Sequence, residues 1–180
     1  QLARFDNADG LPLVALSPIN IYLDLFWQGM ALAKTSGLQN LAIVKPNTPD
    51  NYAAFSKLNV LTSSQGQPAM TVNYPDSTVD SFDLTSFYYG CAVGTQTSVL
   101  GVPTSCSISI KGYSDDAGTK LVAEQSFSFT TGVLQLSAQM VKATVDPKFK
   151  GLKRVNFSVS NDLLTTGLID SVNYKVYSRQ

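Results

Sequence analysis

The most restrictive feature of this sequence is an aromatic-rich run at residues 79–91, which ends on a cysteine. In an extended strand, successive side chains point to opposite faces. Phe82 and Leu84 therefore share one face, and further along Tyr88 points away from the aromatic residues on either side of it. A strand that is apolar along one face needs an apolar layer opposite it. The run predicts a packed β-sandwich in which Tyr88 is available to a ligand.

Other segments repeat this pattern over shorter lengths. Residues 106–113 alternate most cleanly, and residues 155–159 and 169–177 are also typical of strands. Gly29 and Gly37 favour a strand followed by a loop over a helix between them. With about nine strands separated by turn signals, we predict an all-β fold, a jelly-roll β-sandwich of two antiparallel sheets with little helix.

Three further segments complete the strand prediction. Residues 21–27, which contain the single tryptophan, read as one strand, and residues 59–62 and 69–72 read as short strands around a polar turn. The chain has 180 residues, no internal repeat and no break in composition. We therefore expect one domain over residues 1–180.

The composition excludes several classes of function. The chain has no histidine, so it lacks Ser-His-Asp and Cys-His catalytic groups, imidazole metal ligands and the N-terminal histidine of copper oxygenases. Charged residues make up 14% of the chain and the formal net charge is zero. Such a chain has no electrostatic footprint for nucleic acid or for an anionic membrane surface.

Several observations favour an extracellular protein. Ser, Thr, Asn, Gln and Gly occupy most polar positions, as is usual in secreted β-proteins. Cys91 and Cys106 are the only cysteines, and a disulfide between them would contribute about 3 kcal/mol; the alternative is two buried free thiols. Asn156 begins a glycosylation sequon. No stretch is apolar enough to span a bilayer, and Gln1 is compatible with a mature N-terminus left by signal-peptide removal.

Several motifs, taken in order, resemble those of a broad group of small secreted jelly-roll proteins of fungi and bacteria. The group's pattern is an early Phe-Asp-Asp, a Pro-Asn-Tyr segment leading to Trp, a Phe-Asp strand, a Gly-Tyr hairpin and a terminal Leu-Asp-Asn strand. The matching positions are residues 5–7, 18–27, 82–88, 108–113 and 169–172. The resemblance implies a fold akin to galactose-binding jelly rolls and carbohydrate-binding modules. Asn7 and Ser171 depart from the pattern, where the group has an acid and an Asn.

The resemblance implies a structural calcium ion where the first and last strands pair. Asp6 and Asp170 are the matching residues, and Asn7, Asp9 and backbone carbonyls would complete the six to eight oxygen ligands that calcium prefers. The alternative is that one of these Asp residues caps a turn and the other accepts backbone hydrogen bonds. A second acidic pair, Asp115 and Asp116, is typical of ordinary hairpin-turn chemistry.

A carbohydrate site needs aromatic faces on which sugar rings stack, with amides and acids to bind the hydroxyl groups. Tyr88 is the first candidate, and Tyr52 and Tyr74 are favoured because they lie in predicted loops. Tyr22 and Trp27 complete the set, although Trp27 is also a natural core residue.

The leading interpretation is a non-catalytic secreted protein that binds a cell-wall or surface glycan. The alternative is a secreted effector or surface protein that uses the sandwich to bind a host or cell-surface protein. A glycoside hydrolase needs two carboxyl groups about 5–9 Å apart. Asp80 and Asp83 fall on opposite strand faces, and Glu124 has no acidic neighbour in sequence.

Overall fold

The computed structural model describes residues 1–8, 17–36, 43–57, 59–95, 99–132, 135–160 and 163–179. These residues form an all-β sandwich with one short helix, as the sequence predicts. The strands are β1 (Leu2–Ala3), β2 (Ser17–Tyr22), β3 (Leu25–Lys34), β4 (Ile43–Lys45), β5 (Asn51–Phe55), β6 (Ala69–Thr71), β7 (Val79–Gly94), β8 (Val99–Pro103), β9 (Cys106–Tyr113), β10 (Leu121–Phe129), β11 (Ser137–Gln139), β12 (Val141–Thr144), β13 (Arg154–Val159) and β14 (Thr165–Ser178), and the helix is α1 (Val60–Gln65).

Most strands of the described chain belong to one antiparallel sheet. Its order is β10-β9-β13-β6-β3-β5-β14-β7-β12, with β1 on β14, β2 on β3 and β8 on β7. The long strands β7 and β14 pair along most of their length. A separate two-stranded sheet, β11 with β4, is parallel. The described strands outnumber the roughly nine expected because short strands lie in regions where the sequence pattern is weak.

The sheet curls so that its two ends face each other across a common core. Phe87 on β7 contacts Phe127 on β10 and Phe157 on β13, with ring centroids 5.3 Å and 5.8 Å apart. The side chain of Gln125 on β10 links the two edge strands, because it donates to the carbonyl of Thr144 on β12 and accepts from the amide of Asp146. One curled sheet thus provides both layers of the sandwich.

Strand β3 connects the two layers and turns at Gly29. Its first half pairs with β6 and its second half with β5. Gly29 has a φ of 63°, and a Cβ atom there would lie 2.5 Å from the carbonyl oxygen of Gly66. Only glycine combines this backbone conformation with so close a contact.

Two short segments differ from the sequence prediction. Residues 59–62 were expected to form a strand, but α1 begins there because the Asn59 side chain accepts the amide of Thr62 as an N-cap. Residues 21–27 contain a two-residue hairpin turn at Leu23 and Asp24, both with positive φ, which separates β2 from β3. No helix in the described part of the chain is long and apolar enough to cross a membrane.

The predicted disulfide between Cys91 and Cys106 is present. It joins the core-facing part of β7 to the first residue of β9, and both cysteines are buried. Because these strands belong to opposite layers, the bond ties the layers together across the core.

Replacing Gly29 with Ala should lower the free energy of unfolding by about 3 kcal/mol, because the added Cβ meets backbone and the φ is left-handed. Gly151 is a matched control, since its φ of 61° is nearly the same but nothing lies within 4 Å of its Cβ position. Its Ala variant should lose about 1 kcal/mol. Urea unfolding of both variants measures the difference, and equal losses would show that the contact with Gly66 is unimportant.

Candidate ligand-binding site

Three residues form a row across strands β12, β7 and β14, on the face of the sheet that points away from the core. Tyr88 lies directly between Lys142 on β12 and Asp170 on β14 in the strand register. Directly paired residues project from the same face of a sheet. The first candidate for ligand contact, Tyr88, and one predicted calcium ligand, Asp170, are therefore neighbours. Tyr88 is half-buried, while Phe87 and Tyr89 on either side of it are in the core, as predicted.

A bulge in β14 sets the environment of Asp170. The register with β7 shifts between Asp170 and Asn173, and Ser171 takes a φ of 49°. Bulges redirect side chains in this way, often beside functional sites. Asp170 is 0% exposed, and its carboxylate accepts the amide of Thr48 at 2.7 Å, the Thr48 hydroxyl at 3.1 Å and the amide of Ser171. Asp170 thus anchors the segment before β5 to the face of the sheet.

Burial raises the pKa of Asp170 from 3.8 to about 6, although the hydrogen bonds from Thr48 and Ser171 act in the opposite direction. The nearby Asp6 carboxylate raises it further. Desolvation also raises the pKa of Asp6, and a hydrogen bond from Thr48 opposes this effect. The two residues expected to bind calcium are therefore close enough to interact electrostatically, as the pairing of β1 with β14 requires.

Two polar depressions meet at Arg4, and together we call them the Arg4 site. One, of about 410 Å³, and the other, of about 200 Å³, share Leu2 and Arg4 in their walls. The polar and aromatic groups in their walls include Asp6, Asn7 and Tyr22 in the first depression and Asn47, Tyr88, Lys142 and Asn173 in the second.

Tyr22 and Tyr88 stand in different depressions of this site. Tyr22 is half-buried because its ring stacks on Phe5, with centroids 5.4 Å apart. Burial raises the pKa of the Tyr22 hydroxyl, and the Asp6 and Asp170 carboxylates add to this effect. The site thus offers two partly exposed rings in a wall of amide, carboxylate and cationic groups.

Many of these polar groups are not engaged by the protein. The side chains of four of them, Arg4, Asn7, Lys142 and Asn173, form no hydrogen bond or ion pair within the part of the chain that the structure describes. Polar groups that are held in a concavity without internal partners are suited to hydrogen-bond a ligand.

The oxygen atoms near Asp6 partly suit a calcium ion. The side-chain amide of Asn51 donates to the carbonyls of Phe5 and Ala8, and its Oδ1 is buried with no hydrogen-bond partner. That atom and the Asp6 carboxylate are hard oxygen donors. The Asp170 carboxylate is fully buried and accepts three hydrogen bonds from Thr48 and Ser171, so it is less available to an ion than Asp6. Among the described residues, no three His, Cys, Asp or Glu side chains are grouped to hold a metal ion. Asp9 lies outside the described residues.

Two of the predicted ligand-binding aromatics are core residues. Trp27 and Tyr52 are both 0% exposed, so neither presents a ring to a ligand. Trp27 packs edge-to-face on Phe5 and donates its Nε1–H to the carbonyl of Tyr22. The polar residues before Tyr52 predict a loop there, but β5 begins at Asn51 and is buried throughout.

The remaining predicted site residues lie elsewhere. Tyr74 is half-buried at the β2–β3 turn, where its hydroxyl donates to the carbonyl of Asp24 at 3.1 Å. Asn156 lies within β13, paired on both sides, and its side chain accepts from Arg154. Its glycosylation stays a prediction.

The other acidic residues are dispersed. Glu124 forms an exposed ion pair with Lys111, and Asp80 forms one with Lys153. Asp83 accepts from the amide of Gly151 and from the Tyr177 hydroxyl. Asp115 accepts the amides of Thr119 and Lys120, which is the hairpin-turn chemistry that the sequence predicts.

Sequence reasoning did not find Arg4, Asn47 or Lys142. Arg4 is an isolated cation in the sequence, and only the pairing of β1 with β14 brings it near Tyr88. The one available signal was the position of Arg4, two residues before Asp6, in the motif that the resemblance singled out.

No family model matches the chain, and no curated protein matches it in sequence. Solved structures resemble it over nearly its whole length. A DUF4465 family protein from Bacteroides caccae ATCC 43185 gives a TM-score of 0.55 at 13% identity, covering 99% of each chain. The K1 adhesin domain of Lys-gingipain from Porphyromonas gingivalis W83 gives a TM-score of 0.48 at 17% identity, and the match covers 99% of this chain and 98% of that one. The K2 adhesin domain of Lys-gingipain gives a TM-score of 0.47 at 14% identity, and the match covers 97% of this chain and 98% of that one. The likeness to the DUF4465 protein is a likeness of fold.

The raised pKa of Asp170 predicts a specific dependence of stability on pH. The folded state favours the protonated carboxyl of Asp170. The contribution of this group to the free energy of unfolding is therefore greatest below pH 3.8 and is lost as the pH rises to about 6. The loss is about 3 kcal/mol. The measurement is the free energy of unfolding of wild type and of Asp170→Asn, both in chelator. The difference between the two proteins should change between pH 4 and 7.

Asp115→Asn provides a contrast, because the effect of Asp115 on stability should have the opposite dependence on pH. Hydrogen bonds from Thr119 and Lys120 lower the pKa of Asp115, so its contribution is present above pH 3.8 and lost as the pH falls. Parallel curves for wild type and Asp170→Asn would contradict the assignment.

Proposed function

We propose that this protein is a non-catalytic extracellular binding protein and that the Arg4 site recognises a carbohydrate. The observation that carries the proposal is the placement of Tyr22 and Tyr88, both half-buried, in two adjoining polar depressions. Sugars present apolar C–H faces together with many hydroxyl groups. A site for them combines aromatic surface with a few fixed polar groups.

The polar groups of the Arg4 site match this chemistry. Asn7 and Asn173 have amides that both donate and accept, so each can bind a vicinal hydroxyl pair, and Asn47 retains its amide oxygen and one N–H besides the hydrogen bond it donates to Ser171. Arg4 and Lys142 donate, and Asp6 accepts. Because cations and a carboxylate are both present, the site does not require a strongly charged ligand.

The arrangement of carboxylates supports binding over hydrolysis. Asp6 is the one carboxylate that lines the Arg4 site in the described residues. Asp170 interacts with it, but Asp170 is buried and its oxygens accept hydrogen bonds from Thr48 and Ser171. A general acid must reach the substrate oxygen, and Asp170 is covered by the segment that it anchors.

The disulfide supports an extracellular location, because such bonds persist in oxidising compartments. The same location is consistent with the scarcity of charged residues.

A screen of soluble glycans and insoluble polysaccharides, with calcium and with chelator, should detect specific binding. Tyr88→Ala should weaken it about tenfold, because the variant removes an aromatic face from the site. Tyr22→Phe keeps the ring on Phe5 and tests the hydroxyl alone. Tyr177→Ala is the matched control, since Tyr177 is an exposed tyrosine beside Asp83, outside the Arg4 site.

Equal binding by wild type and Tyr88→Ala would remove the Arg4 site from the proposal. A clean negative with every glycan would favour the protein-binding alternative. In that case the first surface to test would be the turn at Leu163 and Leu164, whose side chains are more than half exposed.

We also propose a structural calcium ion beside the Arg4 site, held by the Asp6 carboxylate and Asn51 Oδ1. The buried Oδ1 without a partner supports this proposal. The ion would fix residues 5–8 against the start of β5 and would orient one wall of the site. Asp170 would act indirectly, by holding Thr48.

Calcium should raise the Tm by several degrees relative to chelator. Asp6→Asn should abolish most of this response, because it removes the charged ligand. Asp80→Asn is a suitable control, since Asp80 is exposed on β7 and pairs with Lys153. An identical Tm with calcium and chelator would refute the ion, whether or not glycans bind.

A further inference from the structure

A second polar surface lies on the opposite layer of the sandwich, around Arg154. This residue is the first of β13, and burial alternates along the strand so that Arg154, Asn156 and Ser158 face outward. In the register, Tyr113 on β9 is directly opposite Arg154. β9 and β13 lie at one end of the sheet order, and β7 and β14 lie towards the other. This surface is therefore separate from the Arg4 site.

Arg154 has amide partners but no acidic one. Its Nε donates to Asn156 Oδ1 at 2.6 Å and one terminal nitrogen donates to Gln28 Oε1 at 3.3 Å. Within the described residues, no carboxylate forms an ion pair with it. Two neighbouring lysines differ in this respect, because Lys111 pairs with Glu124 and Lys153 with Asp80.

The guanidinium is fixed and partly removed from water. Desolvation lowers the pKa of Arg154 even though the nearby Tyr113 raises it. Gly118 lies against its side chain, since a Cβ there would be 3.3 Å from Arg154 Cδ and 3.6 Å from Nε. A guanidinium has five N–H donors, and the two bonds to amides leave three of them unused. A held, partly desolvated guanidinium with no counter-ion is suited to bind an oxyanion in a bidentate manner.

We propose that Arg154 binds the carboxylate of an acidic sugar residue, so that the outer face of β9 and β13 is a subsite for uronic-acid polysaccharides. The groups around it favour a saccharide. Tyr113, which is directly paired with Arg154 in the strand register, provides a half-buried ring on the same face. Asn156 follows Arg154 on the same face and lies opposite Lys111, whose charge is paired with Glu124. Farther along this face, Ser109 and Ser126 present hydroxyls. A sheet surface of this composition offers hydroxyl groups hydrogen-bond partners on either side of the carboxylate.

The test uses the whole chain, α-1,4-linked trigalacturonate and its methyl ester, which has the same backbone without the charge. The sequence contains three arginines, at positions 4, 154 and 179. The Nε–H resonances of these residues can be followed by NMR, and Arg154→Lys identifies that of Arg154. Trigalacturonate should shift the Arg154 resonance in a saturable way, whereas the ester should not. Arg154→Lys should weaken binding at least tenfold, because lysine lacks the bidentate fork.

Arg179→Lys is the matched control, since Arg179 is exposed near the end of β14, and it should bind as wild type does. In the same titration the Nε–H resonance of Arg4 reports any binding at the Arg4 site, so a saturable shift of the Arg154 resonance without one of Arg4 separates the two sites. Three results would each overturn the proposal: no shift at millimolar trigalacturonate, an equal shift with the methyl ester, or an equal shift with acetate or sulfate alone, which would indicate general anion binding. A Tm for Arg154→Lys close to that of wild type confirms that the variant is folded.

Discussion

The structure depends most on the pairing of β7 with β14. These two strands run side by side from Thr165 opposite Val93 to Ser178 opposite Val79. Each layer of the curled sheet is connected to this pair, since β14 also binds β5 and β1 while β7 binds β12 and β8. Phe82, Phe87 and Tyr89 project from β7 into the core, where Phe87 and Tyr89 contact aromatic rings of the facing layer. The long ladder therefore fixes both the sheet and the opposing layer.

The interruptions in this ladder create the candidate site. The bulge between Asp170 and Asn173 buries Asp170 beneath Thr48, and the next register shift changes which residues of β7 face the core. Phe5, Asp50 and Ser171 around the site have positive φ values of 61°, 87° and 49°. Such conformations cost roughly 1 kcal/mol or more for residues other than glycine and persist where the surrounding structure enforces them. Here the hydrogen bonds of Asn51 and Asp170 hold the backbone in place.

The Arg4 site and the surface around Arg154 both lie on a protein that carries few charges. With 13 basic and 13 acidic residues, the chain has no dominant field, so recognition would depend on individual groups. Arg4 and Arg154 are cations without an ion-pair partner among the described residues, and each lies beside a half-buried tyrosine. They belong to opposite layers of the sandwich, which would allow one domain to contact a neutral and an acidic sugar residue at separate positions.

The sequence alone was sufficient for the fold class and for much of the core. Alternation in residues 106–113 predicts β9 with its observed bounds, and the pair of cysteines is correctly joined. Apolar positions change from even to odd numbers between Leu84 and Phe87, and this change is itself a signal of the bulge there. Periodicity reports local burial, and for these residues local burial and tertiary burial agree.

The candidate site was decided by tertiary structure. Asp6, Tyr88 and Asp170 are far apart in the sequence, and their proximity depends on the pairing of β14 with β1 and β7. Trp27 is a natural core residue by its type, whereas Tyr52 cannot be told from a surface aromatic until the layers that cover it are known. Arg4 and Arg154 are candidate binding residues because no carboxylate among the described residues forms an ion pair with either of them, and no local sequence pattern encodes this. Local sequence determines which face of a strand is apolar, whereas only the assembled sheet determines which polar side chains meet and which remain free to bind.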